Sequence, residues 1–131
     1  MKIGIVPKLL LDTNIILEAF WGVEPTASWV KSAIEAGEMA LSAVTVAEIV
    51  SKASTEERQK LDLLVSKFGV LSVNQVVAEI GGAYRKEFSR KQKRAYLLDC
   101  LIAATAKLYN LKLVTHNLKD YPMTDIEVVS P

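Results

Sequence analysis

Four acidic residues stand where a folded chain concentrates chemistry. Asp12 closes the apolar run Lys8-Leu9-Leu10-Leu11, Glu48 lies inside the stretch 44–52, Asp99 opens the apolar segment 99–110, and Asp120 sits in the polar stretch 116–122. Carboxylates brought within about 4 Å of one another repel by ~1 kcal/mol per pair even at water's dielectric, and by several times that in a protein-like medium. A bound cation removes that cost. Mg²⁺ takes oxygen ligands, keeps several waters and contacts phosphate, so a carboxylate cluster that held it would be equipped to activate water and to stabilise a phosphodiester transition state.

Other chemistries lack their residues. His116 is the only histidine, which removes HExxH zinc hydrolases and enzymes that need a histidine pair. Cys100 is the only cysteine, which removes CxxC zinc sites and any intrachain disulfide. Neither a Gly-rich phosphate loop nor a GxSxG elbow occurs. A phosphatase with an aspartate nucleophile wants a second acid two residues after the first, and Asn14 occupies that place.

Acids so far apart in sequence meet only if the fold brings them to one edge. Leu9-Leu10-Leu11 reads as a buried strand feeding a helix opened by Asp12-Thr13-Asn14. Pro25 and Thr26 precede a helix with Trp29, Val30, Ala33 and Ile34 on one face and Gly37 as its stop. Met39 to Ser42 reads as a strand and 44–52 as a helix. Ser54 and Glu57 form a capping box before Leu61, Leu64, Val65 and Phe68. Residues 70–73 read as a further strand. Asn74 caps a long helix with Val77, Ile80, Tyr84 and Phe88 inside, where Gly81-Gly82 implies a kink or close packing. Residues 99–110 are apolar nearly all round and predict a buried helix, followed by strands at 112–115 and 126–129. Short strands alternating with helices predict an α/β fold, a central parallel sheet with helices on both faces. Ligands of such sheets bind outside the carboxyl ends of the strands.

The bulk composition fits one soluble domain over 1–131, half apolar, with 16 Lys+Arg against 15 Asp+Glu. A net charge of +1 neither argues for nor against a nucleic-acid partner. Pro7 and Lys8 interrupt the N-terminal apolar run, so neither a signal peptide nor a membrane span is expected, and a cytoplasmic setting fits the lone cysteine.

Four segments then carry a resemblance: Leu10-Leu11-Asp12-Thr13-Asn14, the run Leu41-Ser42-Ala43-Val44-Thr45-Val46-Ala47-Glu48, the run Leu98-Asp99-Cys100-Leu101-Ile102-Ala103-Ala104-Thr105-Ala106, and Val114-Thr115-His116-Asn117-Leu118-Lys119-Asp120-Tyr121. In this order they resemble the motifs of PIN-domain nucleases, and more narrowly those of VapC ribonuclease toxins. The resemblance implies a PIN-like three-layer α/β/α fold, cleavage of RNA by a Mg²⁺-activated water with Mn²⁺ as a possible substitute, inhibition by a cognate antitoxin, and a homodimer. It places Asp12, Glu48, Asp99 and Asp120 on the catalytic, metal-binding positions, and Asn14, Thr115 and Asn117 on polar positions near substrate. His116 departs from the family, which often has arginine there. A PIN nuclease of RNA processing without an antitoxin, and a silent RNA- or protein-binding module, are the alternatives.

Ordinary roles compete residue by residue. Asp12 can cap a helix, Asp99 can sit on a helix dipole, Asp120 can serve a turn, and Glu48 can close a capping box with Thr45. The basic stretch 85–94 is a solvated loop or a phosphate-binding surface through Arg90, Lys91, Lys93 and Arg94. Cys100 is expected to be a small buried side chain, and Trp21 and Trp29 core or interface residues.

Overall fold

Short runs of two or three mostly apolar residues form the sheet, and Leu10, Leu11, Leu113 and Val114 at its centre are fully buried, so they need no polar alternation. In a computed structural model that describes residues 7–91, 93 and 95–131, β1 (Leu9–Leu11) pairs in parallel with β2 (Met39–Ala40) on one side and β3 (Lys112–Val114) on the other, and β4 (Val128–Val129) adds to β3. The order is β2-β1-β3-β4. The N-terminal stretch 1–6 and Arg94 lie outside the described residues.

Register sorts the side chains onto two faces. Leu10 lies beside Ala40 and Leu113, and these join one core with α5 (Gln75–Arg90) and α6 (Leu97–Tyr109). Leu11, beside Val114, turns the other way with Met39 into a second core with α1 (Thr13–Phe20), α2 (Thr26–Ala36) and α4 (Thr55–Phe68). The result is the expected three-layer α/β/α arrangement. The short α3 (Ala43–Val50) feeds both cores, Val44 into the first and Ile49 into the second.

Local signals explain most helix boundaries. Asp12 caps α1, the Ser54/Glu57 box opens α4 and Asn74 caps α5. Gly37 ends α2 at a φ of 70°, a left-handed conformation that costs glycine little. Gly81 answers a close approach instead: a Cβ there would lie 2.7 Å from Leu101 Cδ2, so α5 rests directly on α6. Gly82 meets nothing.

Five expectations need correction. Residues 70–73 form no strand, only a bridge between Ser42 and Leu71, since exposed Val70 and Val73 flank the one residue that pairs. The last strand shrinks to Val128–Val129. The helix α3 is capped by Ser42, whose Oγ accepts from the Thr45 amide at 3.0 Å, so Glu48 closes no capping box with Thr45. The apolar α6 is buried through Ile102–Ala106 but leaves Leu97, Leu98 and Leu108 exposed. Residues 85–90 of the basic stretch are the last turns of α5 rather than loop.

Candidate active site at the carboxyl edge of the sheet

The two central strands end side by side. Beyond β1 the Asp12 amide still donates to the Val114 carbonyl at 2.9 Å, and beyond β3 the Thr115 amide donates to Val129 at 2.9 Å. From there the chain leaves in opposite senses, α1 joining one core while Tyr121 and Met123 join the other. This is the crevice at which open parallel sheets take ligands.

Asp12 and Thr115 face each other across it. Asp12 is 7% exposed; its Oδ1 accepts from the Thr13 amide at 2.7 Å and its Oδ2 from the Thr115 hydroxyl at 2.9 Å. The cap and the site are therefore one carboxylate doing both. Thr115 Oγ1 in turn accepts from the Asn117 amide at 3.0 Å. Glu48, half-buried on α3, receives the Thr13 hydroxyl at 2.5 Å. Asp99, in the first turn of α6, receives the Tyr121 hydroxyl at 3.3 Å. Asp120 ends a 3₁₀ turn over Leu118–Asp120.

The charges of Asp12, Asp120 and Glu48 all reach Asp99. Burial raises the Asp99 carboxyl to about 6, and the charges of Asp12, Asp120 and Glu48 add to the rise. Asp12 is also raised, chiefly by burial and further by Asp120, against the hydrogen bonds that favour its charged form. Burial, then the charges of Asp12 and Asp99, push the Tyr121 phenol up, so it remains a donor. None of the described lysines or arginines pairs with Asp12, Glu48 or Asp99; hydroxyls and an amide hold them.

Among the described residues no three acids, histidines or cysteines converge as a ready-made metal cage. The donor set nevertheless suits a hard cation, being all oxygen, mutually repulsive and only partly desolvated. Beside Glu48 a groove of about 430 Å³ runs between α3 and the start of α6, lined by Ala47, Val73 and Leu98 among others.

A family model of the PIN domain matches residues 9–122. The chain belongs to the PIN-domain family. Similar to this PIN domain is "Ribonuclease VapC10" of Mycobacterium tuberculosis, 33% identical over 88% of this chain and 86% of that protein. Among solved structures, a "Toxin-antitoxin complex from Klebsiella pneumoniae" is 32% identical with a TM-score of 0.73, covering 93% of this chain and 96% of that one. The structure of FitAcB from Neisseria gonorrhoeae is 27% identical with a TM-score of 0.72, over 92% and 95%. The relationship reaches VapC-type ribonucleases, and PIN-domain ribonucleases generally depend on a divalent metal.

The other expected site residues spread more widely in the PIN domain. Asn14 is exposed on the first turn of α1, and Asn117 is exposed at the start of the polar loop. Arg90 is exposed at the end of α5, while Lys91 is engaged with Glu87 at 2.9 Å and sits 5.4 Å from the centre of the Phe88 ring. Cys100 is fully buried, and its thiol is pushed up to about 11 by burial and then by Asp99. Trp21 is not core: it is 60% exposed and donates to Glu57 at 2.6 Å. Two residues had no role assigned from sequence. Thr13 and Tyr121 lie inside the motifs, and their hydroxyls orient Glu48 and Asp99; the signal was a hydroxyl beside an acid in both segments.

Proposed function

We propose that this chain, as a single PIN domain over 1–131, is a VapC-type endoribonuclease of the cytoplasm, a homodimer whose activity a cognate antitoxin restrains. Asp12, Glu48, Asp99 and Asp120 would hold the divalent cation, Mg²⁺ with Mn²⁺ as a substitute. The observation that carries the reading is the Asp99 carboxyl, half-buried within electrostatic reach of Asp12, Asp120 and Glu48 and with a phenol as its hydrogen-bond partner. Such an arrangement costs stability in the folded chain and is relieved by a cation.

The cation supplies a water of lowered pKa and offsets the charge that builds up on the phosphoryl oxygens. The chain's own groups do the rest. Thr115 and the Thr13 amide fix both oxygens of Asp12, the Thr13 hydroxyl fixes Glu48, and Tyr121 fixes Asp99, so the carboxylates are aimed before RNA arrives. Asn14 and Asn117 offer exposed amides for sugar or phosphate oxygens. Arg90, Lys91 and Arg94 would neutralise backbone phosphates, Lys91 by exchanging Glu87 for RNA. The similarity to ribonuclease VapC10 and to toxin-antitoxin complexes supports the substrate and the partner.

Purified protein given structured and unstructured RNAs with Mg²⁺ or Mn²⁺ should leave 5′-phosphate and 3′-hydroxyl ends and stop with EDTA. Cleavage that persists in EDTA, or ends in 2′,3′-cyclic phosphate, would overturn the reading; a chain that binds RNA and cleaves none is a silent module.

A further inference from the structure

The loop that follows β3 carries Asn117 and Asp120 to the crevice, yet residues 116–119 are all exposed. Its backbone bonds are local, Asn117 to Thr115, Asp120 to Asn117 and Tyr121 to Leu118. Among the described residues, His116 is the one side chain of 116–119 that reaches other elements. Its Nε2 lies 3.0 Å from the Thr26 hydroxyl and 3.3 Å from Glu18 Oε2, and its Nδ1 lies 3.4 Å from the Ser130 hydroxyl.

The hydrogen-bond directions follow from the donors available. Thr26 is fully buried at the start of α2 and has one hydroxyl hydrogen, which it gives to Glu18 Oε1 at 3.3 Å. Its oxygen must then accept from His116. Glu18 is a carboxylate and accepts as well, so Nε2 carries a proton shared between the two. A bare Nε2 would instead face the carboxylate oxygen lone pair to lone pair. Glu18 sits on α1, the helix that Asp12 caps, and Thr26 on the helix next to it.

We propose that His116 is a positioning residue for RNA cleavage: its Nε2–H, received by Glu18 and Thr26, ties the loop bearing Asn117 and Asp120 to the α1–α2 hairpin. Successive residues thus anchor the start of the loop to α1, Thr115 through the capping Asp12 and His116 through Glu18. The proposal rests on the ribonuclease reading for its kinetic part only.

The test combines steady-state cleavage of bulk tRNA, hydrogen exchange at the Asn117 and Asp120 amides, and ¹⁵N spectra of the imidazole. His116→Ala should lower kcat by about tenfold to a hundredfold, the scale of a displaced catalytic group, while KM stays within about twofold. Both amides should exchange faster. His116→Gln, whose amide nitrogen can still donate to Glu18, should restore most of kcat, and Glu18→Gln combined with His116→Ala should be no worse than His116→Ala alone. The wild-type spectrum should show a protonated Nε2. Unchanged kcat in His116→Ala overturns the proposal, whether or not exchange changes, and so does failure of His116→Gln to restore a protein that melts like wild type. If the wild type cleaves no RNA the ribonuclease reading fails by itself, and the exchange data then decide the tie: faster exchange supports it, unchanged exchange overturns it.

Discussion

The two edges of this one sheet treat their charges in opposite ways. At the amino edge three acids each have a lysine: Lys112 with Glu127 at 3.3 Å, Lys107 with Asp125 at 3.6 Å, Lys8 with Glu38 at 3.7 Å. At the carboxyl edge Asp12, Glu48 and Asp99 are held by hydroxyls and an amide, and burial together with the charges of Asp12, Asp120 and Glu48 raises the cost of ionising Asp99. The larger hollow lies at the balanced edge, about 610 Å³ between the end of α6 and the approach to β4, against about 430 Å³ beside Glu48. Volume therefore does not mark the site. A charge left for a ligand to balance does.

The sharpest way to break this contrast is to remove one acid at each edge. Asp12→Asn and Asp99→Asn should lose RNA cleavage by at least about two to three orders of magnitude while circular dichroism shows a folded chain. Glu127→Gln at the other edge should cleave within about twofold of wild type, since exposed pairs there contribute little. Comparable loss at both edges would mean that the acids act through folding alone.

Metal should distinguish the edges next. An ion that binds only the folded state at about a hundred times its dissociation constant adds ~2.7 kcal/mol, enough to raise the wild-type melting temperature by several degrees. Mg²⁺ or Mn²⁺ should give that shift in wild type and in Glu127→Gln and lose most of it in Asp12→Asn. A full shift in Asp12→Asn would remove Asp12 from the ligand set.

The effect of pH on the metal-free chain is smaller. The folded Asp99 carboxyl, about 6, lies above the ordinary 3.8, so the folded state binds more protons than the unfolded state between those values. Stability then falls as pH rises from about 4 to about 6 and levels off above. Asp12, raised as well, adds to the same slope. Urea denaturation in EDTA should show this decline in wild type and a weaker one in Asp99→Asn, which should also be the more stable protein at neutral pH. A wild type that gains stability over this window relative to Asp99→Asn would refute the upward shift that burial and the neighbouring acids impose on Asp99.

Much of this was legible in the sequence because it is local. Capping residues fix where α1, α4 and α5 begin, and three-leucine and Leu-Val runs mark strands whatever surrounds them. The acids were legible through their order along the chain. What failed depends on neighbours distant in sequence. Residues 70–73 have strand-forming types, but only Leu71 finds a partner, at Ser42. Of the two places expected for Trp21, core or interface, the core is ruled out, because the indole hydrogen bond to Glu57 holds it at the surface. Thr13 and Tyr121 gained roles only when α3 and α6 arrived beside them, and the glycine at 81 disclosed its reason only against Leu101.

The smallest expected effect lies at the balanced edge. Lys112 and Glu127 are each more than half exposed, so their 3.3 Å pair gains little Coulomb energy against water and holds two long side chains still to do so. A double-mutant cycle of Lys112→Met and Glu127→Gln should give a coupling of about 0.2–1 kcal/mol. Raising salt to ~1 M, where the screening length is about 3 Å, should shrink it toward zero. The repulsion between Asp99 and Asp12, partly shielded from solvent, should keep more of its strength in the same salt. If the Lys112–Glu127 coupling instead exceeded about 2 kcal/mol and resisted salt, this edge would be holding desolvated charge as the carboxyl edge does, and the difference between the two edges would lie in the sign of the charges rather than in their exposure to water.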